Sequence, residues 1–117
     1  MSHAMNRVAA TPPPPYYAVT TTTQLSAAFD EQAYFSLGAR LYRKAQEIPG
    51  FLGLEAFFEG GASIAVSYWA SLEAIELWRN HPLHGQAKHL AKSAWFGPTI
   101  TRIARVEADY GFNLAAG

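Results

Sequence analysis

The stretch from Phe51 to Trp69, FLGLEAFFEGGASIAVSYW, decides the fold. Its β-branched and aromatic residues fall into two runs, Phe51–Glu59 and Ala62–Trp69, with Gly60-Gly61 between them. Two glycines supply the left-handed backbone that a two-residue hairpin turn requires, so the stretch reads as two antiparallel strands. Working outward, Pro49-Gly50 stops whatever precedes it. From Glu31 to Ile48 the apolar residues Tyr34, Leu37, Leu41, Ala45 and Ile48 recur every three or four positions, which is one helical stripe. Ser26 and Asp30 are the candidate caps. Before them, Tyr16–Thr23 (YYAVTTTT) has strand composition. After Trp69, Ser71 can cap a helix from Leu72 to Arg79, with Glu73 well placed in its first turn. Asn80-His81-Pro82 interrupts, and a further helix covers about Leu83 to Ala94, Pro82 being acceptable in a first turn. Gly97-Pro98 precedes a fourth strand, Thr99–Tyr110.

The order is β-α-β-β-α-β, the split βαβ pattern of a ferredoxin-like α+β domain: one antiparallel sheet with helices on one face. Residues 16–112 form the single domain. Residues 1–15, ending in four prolines, read as a disordered leader, and 113–117 as a flexible tail. Met5 leaves open a second start.

The other face of the sheet should alternate with polar residues if it met water. It does not. Strand two reads Leu52, Leu54, Ala56 and Phe58 on one side, with Phe51, Gly53 and Phe57 on the other. Strand three reads Ile64, Val66 and Tyr68 against Ala65 and Trp69. A bare four-strand face of that composition exposes on the order of 500–700 Å², more than a monomer usually leaves open. Covering it is worth roughly 10 kcal/mol before the costs of association. A second copy is the simplest cover, giving a homodimer whose two sheets enclose a barrel. Space left between sheet and helices becomes an apolar pocket.

Composition narrows the function. Lys plus Arg equals Asp plus Glu, nine each, which argues against nucleic acid and anionic membrane as partners. The third strand, ASIAVSYW, also lacks the basic residues and glycine of the commonest RNA-binding module with this strand order. No apolar run reaches the roughly 20 residues of a membrane span, and no signal peptide is evident. The absence of cysteine removes disulfides and thiol chemistry and fits a reducing, cytoplasmic setting. His81 and His84 have no evident third ligand, so no metal is expected.

Several residues stand out against this background. His84 lies near the start of the second helical piece, where an imidazole suits general-base work near neutrality. The bland alternative is a hydrogen bond at a helix end. Arg102 interrupts the apolar positions Ile100, Ala104, Val106, Ala108 and Tyr110 of strand four. An arginine there needs an anion, either a substrate or a carboxylate at the dimer interface. Trp69, Trp78, Trp95, Tyr34, Tyr68 and Phe58 are candidates to wall an aromatic-binding pocket, although most aromatic stripes are only core.

The segment Pro49-Gly50-Phe51-Leu52-Gly53, then Ser67-Tyr68-Trp69, Trp78-Arg79 with His84, Trp95, and Arg105-Val106-Glu107 with Asp109-Tyr110 and Phe112, resembles the antibiotic biosynthesis monooxygenase family. The resemblance spans about Tyr16 to Phe112 and implies a dimeric α+β barrel. Some members of that family oxidise phenols with neither metal nor flavin, and others degrade haem. The resemblance does not fix the reaction; the expected one is a cofactor-independent monooxygenation of a small phenol or hydroquinone, for which His84 and Arg102, singled out above, are the candidate catalytic residues. A haem-binding or haem-degrading protein and a non-catalytic ligand-binding dimer are the alternatives. The haem-degrading members carry an asparagine in strand one, where Thr20 to Thr23 stand here. They also carry a tryptophan, matched by Trp78, and an iron-ligating histidine. That histidine position falls near Lys88, with His89 one residue away and so rotated by about 100° on a helix.

Overall fold

The computed structural model of the protein describes residues 8–27, 30–90 and 96–114. The elements run β1 (Tyr16–Leu25), α1 (Glu31–Ala45), β2 (Phe51–Glu59), β3 (Ala62–Trp69), α2 (Leu72–Arg79), α3 (Pro82–Leu90) and β4 (Phe96–Val106). The sheet order is β2-β3-β1-β4 with every pairing antiparallel. This is the expected α+β architecture.

Local chemistry explains the boundaries. Gly60 and Gly61 both hold positive φ, 62° and 81°, which fits the twist of a two-residue hairpin. Asp30 accepts a hydrogen bond from the Ala33 N–H and begins α1, and Ser71 does the same from Ala74 for α2. The third helix has an unusual start. His81 Nδ1 accepts from the Leu83 N–H at 3.1 Å, in front of Pro82, which has no N–H to satisfy. That occupation of its Nδ1 gives His81 a structural role.

Helices cover one face of the sheet. Trp69, 1% exposed, packs there with Ala74 and Ile75 of α2, and Tyr17, Val19, Ile48, Phe51 and Trp78 close around them. Phe51 was expected to share a side with Gly53 and Phe57. A β-bulge between Phe51 and Gly53 makes Leu52 an extra residue, so Phe51 pairs with Trp69 while Gly53 pairs with Tyr68. One added residue reverses the alternation, and the Phe51 and Trp69 rings meet edge to face at 5.1 Å. Gly50, just before the bulge, has φ +94°, and a Cβ on it would lie 2.8 Å from Ala74 Cβ. Gly50→Ala should therefore lower unfolding stability by about 1–3 kcal/mol in a urea titration; an unchanged midpoint would show that the turn can adapt.

The fourth strand differs from the expectation of Thr99–Tyr110. It starts at Phe96 and ends at Val106, so Ala108 and Tyr110 lie beyond it. Pro98 sits where the register with β1 shifts, between Thr23 and Leu25. An edge strand tolerates a proline there because no ladder donor is needed.

The helix-free face carries Gly53, Glu55 and Phe57 of β2, Ile64, Val66 and Tyr68 of β3, Tyr16, Ala18, Thr20 and Thr22 of β1, and Ile100, Arg102, Ala104 and Val106 of β4. Phe57, Ile64 and Ile100 are exposed at one end of it. The other end is covered by the leader, which from Ala9 onward lies against the sheet rather than trailing free. The Ala9 N–H donates to Glu55 Oε2 at 2.8 Å and Thr11 Oγ1 to the Tyr16 hydroxyl. Gly53 makes room for Ala9, whose Cβ lies where a Gly53 side chain would begin.

Beneath the leader, Tyr68 donates to Glu55 Oε1 at 2.6 Å and Tyr16 to Asp109 Oδ2 at 2.5 Å. The two rings meet edge to face at 6.0 Å. Burial, then the carboxylate acceptor, pushes the Tyr68 hydroxyl well above its ordinary value of 10.0. The folded state thus favours the neutral phenol. Its contribution is complete below pH 10 and is lost as pH rises beyond it, where the unfolded chain ionises first. Stability should fall above pH 10, and Tyr68→Phe should flatten that decline in a pH series of thermal melts. A slope unchanged by the substitution would assign the decline elsewhere.

Candidate active site on the helix side of the sheet

On the helix side, Trp69 and Trp78 stack with centroids 6.5 Å apart and planes inclined by 28°. Trp78 in turn contacts His81 at 5.6 Å and His84 at 5.1 Å. The Nδ1 atom of His84 is buried and has no hydrogen-bond partner among the described residues. Buried polar atoms are nearly always satisfied, so this one marks a place for a ligand or a water. Burial lowers the imidazole pKa below 6.5; the Arg79 carbonyl offsets part of the effect, while Lys88, Arg79 and His81 add to it. The ring is therefore neutral at pH 7.

A second aromatic group lies under α1, where Phe35 meets Tyr34 at 5.5 Å and Phe58 at 5.4 Å. Between the two groups the helix side of the sheet mixes the apolar Leu54, Val19 and Ile103 with small and hydroxylated residues. Trp69 Nε1 donates to Ser67 Oγ at 2.8 Å, and the Tyr34 hydroxyl bonds Ser63 Oγ at 2.9 Å. Thr21 pairs with Thr101 at 3.0 Å and Thr23 with Thr99 at 2.9 Å. The expected pocket was apolar; this floor sets paired hydroxyls among apolar residues. The TTTT run was legible in the sequence, but only as strand propensity.

The structure separates several residues that the sequence had grouped. His84 stands over the helix side. Arg102 pairs with Thr20, one step out of phase with Tyr17 and Trp69, and so lies on the helix-free face. A mechanism that needs both in one cavity fails for that reason. Tyr68 is also on the helix-free face, because adjacent residues of a strand point to opposite sides, and it cannot wall a pocket with Trp69. Trp95 lies outside the described residues. Lys88 and His89 are both exposed near the end of α3, so neither is set into a closed site. Two shallow grooves, of about 280 and 610 Å³, run along α2 beside Leu72 and Glu73. Neither contains His84 or the stacked tryptophans. No group of three or more possible metal ligands occurs among the described residues, and no helix among them is long and apolar enough to cross a membrane.

No family profile matches the chain. It is 38% identical over 79 residues to the uncharacterised protein YqjZ of Bacillus subtilis, covering 67% of this chain and 69% of that protein. The chain belongs to the YqjZ family. Solved structures extend the likeness for this YqjZ-family chain to the fold. SnoaB, a cofactor-independent oxygenase from Streptomyces nogalater, superimposes with a TM-score of 0.64 at 12% identity, over 84% of this chain and 97% of that one. A structure described as an antibiotic biosynthesis monooxygenase gives 0.63 at 13% identity, over 80% and 99%. SO0527 from Shewanella oneidensis gives 0.69 at 8% identity, over 79% and 91%. The fold of the YqjZ-family chain is that of the antibiotic biosynthesis monooxygenases, as the resemblance implied.

Proposed function

We propose that the protein is a cofactor-independent monooxygenase that oxidises a small phenol or hydroquinone, and that it works as a homodimer joined through the helix-free faces. The observation that carries the reading is the buried Nδ1 of His84 beside Trp78, unpartnered among the described residues, at one end of a floor that carries hydroxyls. A planar phenol can lie along the Trp69–Trp78 wall, and the Ser67 and Thr21–Thr101 hydroxyls can meet its polar substituents. A neutral imidazole is the right base to take the phenol proton, and the phenolate so formed is the species that gives an electron to oxygen. The balance closes without an added reductant. The substrate supplies the two electrons and two protons that turn one oxygen atom into water, and the other oxygen atom enters the ring, leaving a quinone. The fold it shares with SnoaB supports this reading.

Arg102 has no place in that site. Its position on the helix-free face supports the interface role that was its alternative. Oxygen consumption by the purified protein across a panel of phenols and hydroquinones, with no flavin or metal added, tests the proposal. Turnover with one quinone formed per oxygen consumed supports it. Tight binding of the panel with no oxygen uptake would leave a ligand-binding protein, and no binding at all would remove the site.

A further inference from the structure

Gly38 stands in the middle of α1, and nothing in the fold requires a glycine there. Its backbone is helical, with no positive φ. A Cβ on it would meet no atom within 4 Å among the described residues, whereas one on Gly50 or Gly53 would lie 2.8 or 2.9 Å from an alanine Cβ. Glycine inside a helix is less stable than alanine. The chain therefore keeps open space at Gly38 although filling it would strengthen α1.

That space faces inward. One turn before Gly38, the Tyr34 hydroxyl bonds Ser63 Oγ; one turn after it, Tyr42 meets the Phe51 ring at 6.1 Å. Ser63 and Phe51 both belong to the helix side of the sheet. Residues four apart share a helix face, so Gly38 lies between these contacts, over the helix-side residues Leu54 and Ala56 of β2 and Ser67 and Ala65 of β3. It is itself half-buried. Ring contacts join the space to the candidate site. Phe51 meets Trp69, Trp69 stacks on Trp78, and Trp78 meets His84, whose Nδ1 calls for a partner.

We propose that Gly38 is a specificity-determining residue, leaving a slot beside the Trp69–Trp78 wall for an unbranched alkyl arm on the phenol. A gap left by one missing side chain is narrow, and Leu54, Ala56 and Ala65 make its floor mainly apolar. Ala65 is four residues along β3 from Trp69, about 13 Å. A single ring covers roughly half of that, so an arm of about five carbons reaches the slot. The inference rests on the phenol-binding reading above and names the substituent.

Quenching of tryptophan fluorescence in the full chain gives dissociation constants for 4-methylphenol and 4-pentylphenol. Wild type should bind the pentyl compound at least about thirty-fold more tightly, since each buried CH₂ is worth about a factor of four. Gly38→Leu fills the slot. It should cut that preference to about three-fold or less and leave 4-methylphenol within about two-fold of wild type. Gly38→Ala should raise the melting temperature by several degrees; a lower one would mean that the fold needs the space, and overturns the assignment. Binding of 4-methylphenol by wild type with no gain for the pentyl compound overturns the slot and leaves the phenol reading. A preference that survives Gly38→Leu puts the arm elsewhere, and equal loss of both ligands makes Gly38 part of the ring site; either overturns the proposal. Wild type that binds neither phenol removes the phenol reading and the slot together.

Discussion

Replacing His84 with alanine should lower kcat/KM for oxygen uptake by about 10²- to 10⁴-fold, the range lost when a positioned general base is removed. The imidazole contacts Trp78 and bonds the Arg79 carbonyl at the end of α2; losing one such bond should cost only about 1 kcal/mol, so the fold should survive and aromatic ligands should still bind, as intrinsic tryptophan fluorescence would report. His84→Gln keeps the shape of a polar side chain but not its basicity, and should be as slow as alanine. The pH profile adds a test that a structural role would not move. Burial lowers the His84 pKa from 6.5, so the basic form already dominates at neutrality. The rate should be level near pH 7 and fall only on the acid side of 6.5. The same shift makes the folded state reluctant to take up a proton that the unfolded chain accepts, so stability also declines as pH drops below 6.5. An alanine variant within three-fold of wild type would return His84 to the role of a packed helix residue.

Trp69→Ala should cost about 3–5 kcal/mol of unfolding free energy, measured by urea titration. Trp69 is 1% exposed and is the largest fully buried side chain among the described residues. Its removal takes away the edge contact to Phe51 and the stack against Trp78, and leaves Ser67 without its indole donor. Against a typical domain stability of about 5–15 kcal/mol, that is a large share. Trp69→Phe, which keeps an aromatic ring, should cost less than half as much. A loss under 1 kcal/mol for the alanine variant would mean that the cluster around α2 is not the centre of the core.

The sequence was legible wherever one local rule acted alone. The glycine pair placed the hairpin, the apolar stripe placed α1, and Ser71 and Asp30 began their helices as read. The two faces were legible in composition but not in membership. Phe51 was misplaced because a bulge has no composition of its own, and Tyr68 was grouped with Trp69 because both are aromatic, although neighbours in a strand face apart. The separation of His84 from Arg102 needs the register of β4 against β1 and the side on which α3 lies, and neither is encoded within a few residues of either position. The leader was read as loose because four prolines form no ladder; its attachment depends on Glu55, 46 residues from Ala9. The hydroxyl floor was hidden because threonine favours a strand whether its oxygen serves a ligand or a neighbour.

The extra residue in β2 has a consequence for how this chain diverges. It works as a phase shifter: substitutions downstream of Gly53 obey one odd–even code, and those upstream obey its inverse. The end of the strand beside Trp69 can therefore be tuned for the interior while the remainder is tuned for whatever lies outside the sheet, with neither set of changes disturbing the other. Relatives that lack the insertion should show the two patterns fused into a single alternation, with a polar or small residue where Phe51 now stands.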